Sequence, residues 1–231
     1  MNTEELLMVE AYSKLPTFKL RINKALDIIR EGLGKGTAYV AVSWGKDSVV
    51  LLHLVQSIEP SIQAIYHAHI ERDLISNYSQ TIEAYTSKFP TNLSIQETWD
   101  ASGNIAKNLD VYKDFPVCFL GLRAEESVNR KRSIRKYGLI HQYSSGFLQN
   151  TWRICPLGWW NWIDVWAYIF TYDLPYLNAY DDVPINSVNS RTTCHISKSV
   201  KNMTQATRLE DIKKNNLSYY NYLKVNYPEM F

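Results

Sequence analysis

The sequence predicts a three-layer, doubly wound α/β fold whose sheet is mostly parallel and carries helices on both faces. Apolar runs of strand length alternate with segments of helical periodicity, two of those runs end abruptly in polar loops, and the chain is long enough for a sizeable core. Strands that alternate with helices form parallel βαβ units, and ligands of such sheets bind beyond the carboxyl ends of the strands. We predict a single domain over residues 1–231.

The predicted elements follow in a regular order. Two N-terminal helices, over residues 4–14 and 18–32, are separated near Pro16, and Gly32 or Gly34 is suited to end the second. The core of the domain, residues 36–181, then alternates strands with helices. Its predicted strands are 38–43, 62–70, 93–99 and 115–122, and its predicted helices are 47–57, 77–89 and 125–137.

The last third of the chain is less regular. We predict an edge hairpin between residues 138 and 158, followed by a helix that Asn161 caps. Asp164 comes three residues after Asn161, which is the spacing of a capping box. Residues 182–231 are predicted to form a polar loop and then an amphipathic helix near 203–225.

Composition limits the function classes. The chain has 25 basic and 23 acidic side chains, so a nucleic-acid partner is not favoured. No apolar run approaches the ~20 residues that a bilayer span needs, and the acidic N-terminus is unlike a signal peptide. Three cysteines without paired spacing favour a reducing compartment and give no ligand set for an iron–sulfur cluster. We predict a cytoplasmic protein without a membrane partner.

The most informative segment is the loop 43–48, between an apolar strand and an apolar helix. It reads Ser43, Trp44, Gly45, Lys46, Asp47 and Ser48. Free N–H groups at a helix start attract anions, and a lysine adds a positive charge. A carboxylate at position 47 could hold Mg²⁺ against phosphate oxygens. The loop is predicted to bind the phosphates of a nucleotide. Because a tryptophan favours negative φ, we expect the close backbone approach to depend on Gly45.

Three motifs carry a resemblance to a known family. Loop 43–48 lacks the Walker A pattern and resembles the S-G-G-x-D-S pyrophosphate loop of the adenine-nucleotide α-hydrolase superfamily. Residues 115–127 resemble the G-[IL]-R-x-[DE]-E-S segment of the phosphoadenosine-phosphosulfate (PAPS) reductase family. Residues 155–181 resemble that family's P-L-x-x-W-x-x-x-D-V-W-x-Y-I and L-P-Y-x-x-x-Y-D segments. The chain is identified as a member of this family, which implies an adenine-nucleotide α-hydrolase-like fold and a nucleotide-binding core.

The resemblance implies roles for individual residues. Backbone amides of the loop and Ser48 would bind the β- and γ-phosphates, Lys46 would neutralise leaving-group charge, and Asp47 would bind metal or position water. Arg123, directly after an apolar strand, would bind an anion with its forked guanidinium. His69 lies in the segment that the family uses for adenosine, although the family's D-T-G is absent here.

Basic residues outside the loop are candidates for substrate contact. The predicted helix 125–137 has a basic face that is either a solvated surface or a contact for an anionic substrate. Glu125 and Glu126 at its start are expected to interact with the helix dipole. The candidate substrate-binding residues are Arg130, Arg132, Arg153, Arg191 and His195.

Three function hypotheses stay open. The first is an enzyme that attacks the α-phosphorus of ATP, with Mg²⁺, and releases pyrophosphate while adenylylating an acceptor. The second is a PAPS or APS reductase, disfavoured because the family's C-terminal E-C-G-[LI]-H cysteine motif is missing and only Cys194, beside His195, could replace it. The third is a partner-dependent nucleotide-binding subunit of a sulfur or nucleic-acid modification system. A protein partner or a homodimer would be compatible with all three.

Overall fold

The computed structural model describes residues 3–68, 76–97, 112, 114–144, 148–181, 185, 209–210, 213–214, 217–226 and 228. The predictions for His69, Arg191, Cys194 and His195 lie outside these residues. So do the predicted strand ends beyond 68 and 97 and most of the predicted C-terminal loop. None of the helices in the described ranges is both long and apolar enough to cross a membrane.

Helices and strands alternate through most of the described chain. Fifteen segments are introduced here in chain order: α1 Thr3–Ser13, α2 Pro16–Leu33, β1 Ala38–Val42, α3 Lys46–Gln56, β2 Gln63–Ala68, α4 Tyr78–Lys88, β3 Asn92–Glu97, β4 Val117–Leu120, a 3-10 turn Ala124–Glu126, α5 Val128–Tyr137, β5 Ile140–Gln142, β6 Trp152–Ile154, α6 Trp162–Thr171, a second 3-10 turn Asn178–Tyr180, and α7 Leu217–Asn226.

The described strands form one sheet with the order β3-β2-β1-β4-β6-β5. Every neighbouring pair is parallel except β5 with β6, which forms an antiparallel hairpin at one edge. The mostly parallel sheet and the edge hairpin that the sequence predicts are therefore confirmed. The strand order also reverses beside β1, and in a doubly wound sheet ligands bind at such a point.

The two faces of the sheet are covered differently. The first face carries the main core, in which Val40, Ala64, Phe119 and Ile154 are buried together with side chains of α1, α2, α3 and α6. On the second face a smaller cluster contains Tyr39, Ile65 and Cys118. The chain moves along the sheet in opposite directions before and after β3. Helix α3 connects the parallel strands β1 and β2 and packs on the first face.

A buried carboxylate joins the first and sixth helices. Asp164 is fully buried and accepts a 2.6 Å hydrogen bond from the backbone N–H of Asn161, which confirms the predicted capping box. Its other oxygen accepts a 2.5 Å hydrogen bond from the hydroxyl of Tyr12. Both carboxylate oxygens are thus satisfied, as burial of a charged group requires.

The basic helix starts later than predicted. A 3-10 turn occupies Ala124–Glu126, and α5 begins at Val128. The reason is local: Ser127 has an extended backbone, and its hydroxyl accepts a 3.2 Å hydrogen bond from the N–H of Arg130. This is the geometry of an N-cap, which places residue 127 outside the helix.

A histidine packed among aromatic rings gives the fold a dependence on pH. His53 contacts the rings of Phe89, Tyr168 and Tyr172, and its Nδ1 lies 2.9 Å from the Tyr168 hydroxyl oxygen. Burial, helped by the positive charge of Lys88, lowers the pKa of His53 from 6.5 to about 4. The folded protein thus keeps this imidazole neutral down to a lower pH than the unfolded chain does.

We expect the free energy of unfolding to fall by up to about 3 kcal/mol between pH 6.5 and 4 through His53 alone. The sign follows from the depressed folded-state pKa, because protons then bind preferentially to the unfolded chain. Urea unfolding across this pH range checks it, with His53→Gln as the comparison that shares every other titrating group. Parallel pH profiles for the two proteins would contradict the prediction.

Candidate active site

Loop 43–48 is held in a tight turn between β1 and α3. The Ser48 hydroxyl donates a 2.9 Å hydrogen bond to the carbonyl of Gly45 and accepts a 3.2 Å hydrogen bond from the N–H of Ser43. Ser48 and Lys46 are buried. The loop is therefore fixed by its own side chains, with the N-terminus of α3 at its centre, which suits a phosphate-binding loop.

The expectation about Trp44 is wrong. Its φ is +60°, in the left-handed region, whereas Gly45 has ordinary extended angles of −69° and 157°. The side chain is fully buried and makes edge-on contacts with Tyr66 and Tyr85, at ring-centroid distances of 6.2 and 5.6 Å. Core packing thus holds the tryptophan in a backbone region that L-residues adopt at a cost of about 1–2 kcal/mol. As a predicted phosphate-binding residue, Trp44 can offer only its backbone.

Two glycines allow the loop to meet its neighbours. A Cβ at Gly45 would lie 3.1 Å from the Tyr180 hydroxyl oxygen, so a larger residue there would require Tyr180 to shift. A Cβ at Gly121, just after β4, would lie 3.0 Å from the backbone of Asp47. The glycine of the second motif therefore brings β4 into contact with the loop of the first motif.

The structure brings the three predicted catalytic residues together. Asp47 Oδ1 accepts a 2.7 Å hydrogen bond from Nε of Arg123, and its Oδ2 lies 3.3 Å from Nζ of Lys46. Arg123 Nη1 lies 2.5 Å from Oε2 of Glu125. Arg123 is 3% exposed and Lys46 is 7% exposed, so two cations and two carboxylates form a largely buried network.

The network keeps Asp47 and Arg123 charged. Burial alone would raise the pKa of Asp47, but the charges of Lys46 and Arg123 outweigh it and hold that pKa below its usual value. Burial would lower the pKa of Arg123, and the carboxylates of Asp47 and Glu125 raise it instead. A charged guanidinium and a charged carboxylate therefore stand side by side at the start of α3.

The two glutamates do more than interact with a helix dipole. Besides the contact of Glu125 with Arg123, Glu126 accepts a 3.0 Å hydrogen bond from the backbone N–H of Arg123 and forms an ion pair with Arg130. These contacts come in addition to the dipole role predicted for both residues, which stays a prediction. Arg130 is thereby connected to the site, through Glu126.

The third motif also reaches the loop. The backbone N–H of Lys46 lies 3.4 Å from the Tyr180 hydroxyl oxygen, and the Lys46 ammonium lies 5.0 Å from the centre of that tyrosine ring. Tyr180 in turn contacts Trp166 of α6 edge-on. Sequence reasoning did not place Tyr180 in the site, although it is the first residue of the Y-D pair in the L-P-Y-x-x-x-Y-D match.

Replacing Tyr180 with phenylalanine is expected to tighten the binding of pyrophosphate about threefold, because it frees the Lys46 N–H for a phosphate oxygen and keeps the ring under the ammonium. Tyr180→Leu, which also removes the ring, should bind more weakly than Tyr180→Phe. Calorimetric titration of both variants measures the difference. Equal affinities for the two variants would show that the ring contact has no effect.

The remaining candidate residues are more scattered. On α5, Arg132 is exposed along with Lys131, Arg135 and Lys136, so most of the basic face is solvated. Arg130 is half-buried at the ion pair with Glu126. Arg153 is half-buried on β6, on the second face of the sheet.

A magnesium ion at this site would depend on Asp47. Both of its carboxylate oxygens face cationic groups, on Arg123 and Lys46. In the described ranges, no cluster of three or more histidine, cysteine or acidic side chains could hold a metal ion. A metal contact through Asp47 therefore does not fit this arrangement of side chains. Mg²⁺ brought by a nucleotide stays a prediction.

Comparison with known proteins finds similar sequences. A family model described as "Phosphoadenosine phosphosulfate reductase domain" matches residues 102–184, which include Arg123 and Tyr180. Adenosine 5'-phosphosulfate reductase of Bacillus cereus strain Q1 is 24% identical over 173 residues, covering 64% of this chain and 69% of the relative. The protein of the same name from strain B4264 is 26% identical over 180 residues, covering 67% and 71%.

A solved structure has the same fold. The phosphate complex of phosphoadenylyl-sulfate (PAPS) reductase from Candida auris aligns with a TM-score of 0.50 at 16% identity. The alignment covers 78% of this chain and 92% of that protein. The predicted three-layer α/β architecture is confirmed by this likeness together with the sheet described above.

Proposed function

We propose that this chain, a member of the PAPS reductase family of the PP-loop superfamily, is an enzyme that holds the anionic end of an adenine nucleotide in loop 43–48. The observation that carries the proposal is the meeting of two buried cations, Lys46 and Arg123, at the N-terminus of α3. Asp47 and Glu125 balance these charges, so an anion that takes the place of Glu125 meets two cations that little water screens.

The reaction that we propose is attack on the α-phosphorus of ATP. A nucleophilic oxygen of the acceptor forms the new bond to the α-phosphorus, the bond to the bridging oxygen breaks, and pyrophosphate leaves. The N–H groups of the loop and Lys46 stabilise the leaving charge, so the protein acts through positioning and electrostatics. The identity of the acceptor is part of the experiment below.

Glu125 is the group that can yield to the ligand. Its side chain is 26% exposed, whereas that of Asp47 is 15% exposed and is held by two cations. When a phosphate oxygen approaches, the Nη1 of Arg123 can exchange Glu125 for the ligand while Nε keeps its bond to Asp47. Arg123 would then bind the anion without losing the carboxylate that fixes its orientation.

A second candidate is reduction of a sulfonucleotide, which the names of the curated relatives favour. Such a reduction needs an accessible thiolate. Burial raises the pKa of Cys118 to about 12 and also raises that of Cys155, so neither is suited to be the nucleophile. The reductase reading therefore depends on Cys194, the third cysteine of the sequence. A requirement for a partner protein would be compatible with either reaction.

Product analysis distinguishes the two reactions. The protein is incubated with ATP and Mg²⁺, and separately with APS or PAPS and reduced thioredoxin. We expect pyrophosphate from ATP, lost in Lys46→Ala and Asp47→Ala but kept in the exposed-lysine control Lys131→Ala. Sulfite release that Cys194→Ser abolishes would replace the first reaction with the second. If neither nucleotide binds, or if Lys46→Ala and Asp47→Ala both bind and turn over ATP like wild type, the site assignment is wrong.

A further inference from the structure

A row of polar side chains crosses the second face of the sheet. Tyr39 of β1 pairs directly with Cys118 of β4, Cys118 pairs with Arg153 of β6, and Arg153 pairs with His141 of β5. Residues directly opposite each other in a sheet point to the same face. Arg153 is therefore the guanidinium of this row, whose other side chains are a phenol, a thiol and an imidazole.

Arg153 has no counter-ion among the described residues. No carboxylate lies within ion-pair distance of it there, and its Nε is buried without a hydrogen-bond partner. Its guanidinium carbon lies 5.7 Å from the centre of the Tyr143 ring. A buried N–H on a charged group destabilises the fold unless it donates a hydrogen bond to an acceptor. Arg153 therefore has a packing partner in the Tyr143 ring but lacks an anionic acceptor.

The described groups around Arg153 do not neutralise it. Burial lowers the pKa of His141, and the charge of Arg153 lowers it further, while the carbonyl of Gly138 acts in the opposite direction. Burial raises the pKa of Cys155, against the charge of Arg153, a hydrogen bond from Arg153 and the charge of Arg130. The imidazole and the thiol are therefore neutral neighbours, and the charge of Arg130 on α5 is already paired with Glu126.

We propose that Arg153 is the centre of a second anion site, which takes a tetrahedral oxyanion such as sulfate or phosphate. The site lies between the β5–β6 hairpin and α5, where the Tyr137 ring stacks on His141 at 5.4 Å between centroids. A planar guanidinium presents parallel N–H groups that match two oxygens of such an anion, and the Tyr143 ring supports its plane.

This site is distinct from the nucleotide loop and does not rest on the proposed reaction. Arg153 lies in the same cross-strand row as Tyr39, and the chain runs four residues from there to Ser43. Four residues of a β-strand span about 13 Å. One oxyanion bound at Arg153 and one bound at loop 43–48 therefore occupy separate positions.

The test follows the Nε–H resonance of Arg153 by NMR, assigned by its absence in Arg153→Lys. Sodium sulfate and sodium phosphate are titrated separately, with sodium chloride keeping the ionic strength constant. We expect a saturable shift of this resonance with at least one oxyanion, and a simultaneous rise in the pKa of His141 because the bound anion offsets the charge of Arg153. The relative affinities of sulfate and phosphate show which oxyanion the site prefers.

Two variants complete the experiment. Arg153→Leu, checked for folding by circular dichroism, should reduce the oxyanion affinity measured at His141 at least about tenfold. Arg135→Leu, which removes an exposed charge from α5, should leave that affinity unchanged. If the Arg153 resonance does not move, moves equally in chloride, or moves no more than that of Arg135, no oxyanion site exists at Arg153.

Discussion

Replacing Arg123 with lysine should weaken nucleotide binding at least about tenfold and lower the free energy of unfolding by about 2–4 kcal/mol. The charge is kept, but a lysine cannot bond Asp47 with one nitrogen and Glu125 with another, as the guanidinium does. At least one of these carboxylates then loses its bond to residue 123, in a site where Arg123 itself is 3% exposed. Calorimetric titration with ATP and urea unfolding measure the two effects.

The matched control for this prediction is Arg135→Lys. Arg135 is exposed on α5, so the same chemical change there should alter stability by less than about 0.5 kcal/mol and leave nucleotide affinity unchanged. Adding Glu125→Gln to Arg123→Lys should recover part of the lost stability, because it removes the charge that has lost its partner. If Arg123→Lys has the nucleotide affinity and the stability of the wild type, the forked guanidinium of Arg123 has no role.

Position 44 should tolerate glycine better than alanine. Either change removes a fully buried indole and should cost about 3–5 kcal/mol through lost packing against Tyr66 and Tyr85. Glycine, however, adopts the left-handed backbone of residue 44 without strain, whereas alanine retains a penalty of about 1 kcal/mol. Trp44→Gly is therefore expected to be about 1 kcal/mol more stable than Trp44→Ala.

This order is the reverse of the usual one, since glycine at ordinary negative φ is less stable than alanine by about 0.5–1 kcal/mol. Thermal and urea unfolding of both variants decide the matter. A second readout is pyrophosphate affinity, which should change little in Trp44→Gly because that residue offers only backbone to the ligand. If Trp44→Ala is the more stable variant, the left-handed conformation does not strain the tryptophan.

The elements that sequence reasoning found correctly are those with strong local signals. The strand before Ser43 has a continuous apolar run, and the capping pair of Asn161 and Asp164 has a spacing that follows from helix geometry. The predicted start of α5 is wrong because Ser127 follows a 3-10 turn and caps the helix that begins at Val128. Periodicity alone does not reveal such a cap.

The site residues likewise divide into those with a local sequence signal and those without one. Arg123 could be identified because a charged residue directly after an apolar strand is unusual, and the family resemblance gave it a role. The backbone of Trp44 could not be predicted, because the contacts that outweigh its strain come from Tyr66 and Tyr85, far along the chain. The place of Tyr180 beside Lys46 likewise depends on how α6 packs, which no local pattern encodes.

The contact between Lys46 and Tyr180 has a consequence for how the protein acquires activity as it folds. It joins residues 134 positions apart, and the Asp47–Arg123 bond joins residues 76 positions apart. Contacts of such long sequence separation form late, because closing a large loop costs conformational entropy before the contact contributes its stabilising energy. On the ribosome, the chain would therefore present β1 and α3 long before the loop between them is complete. The ability to bind a nucleotide would then appear only at the last stage of folding.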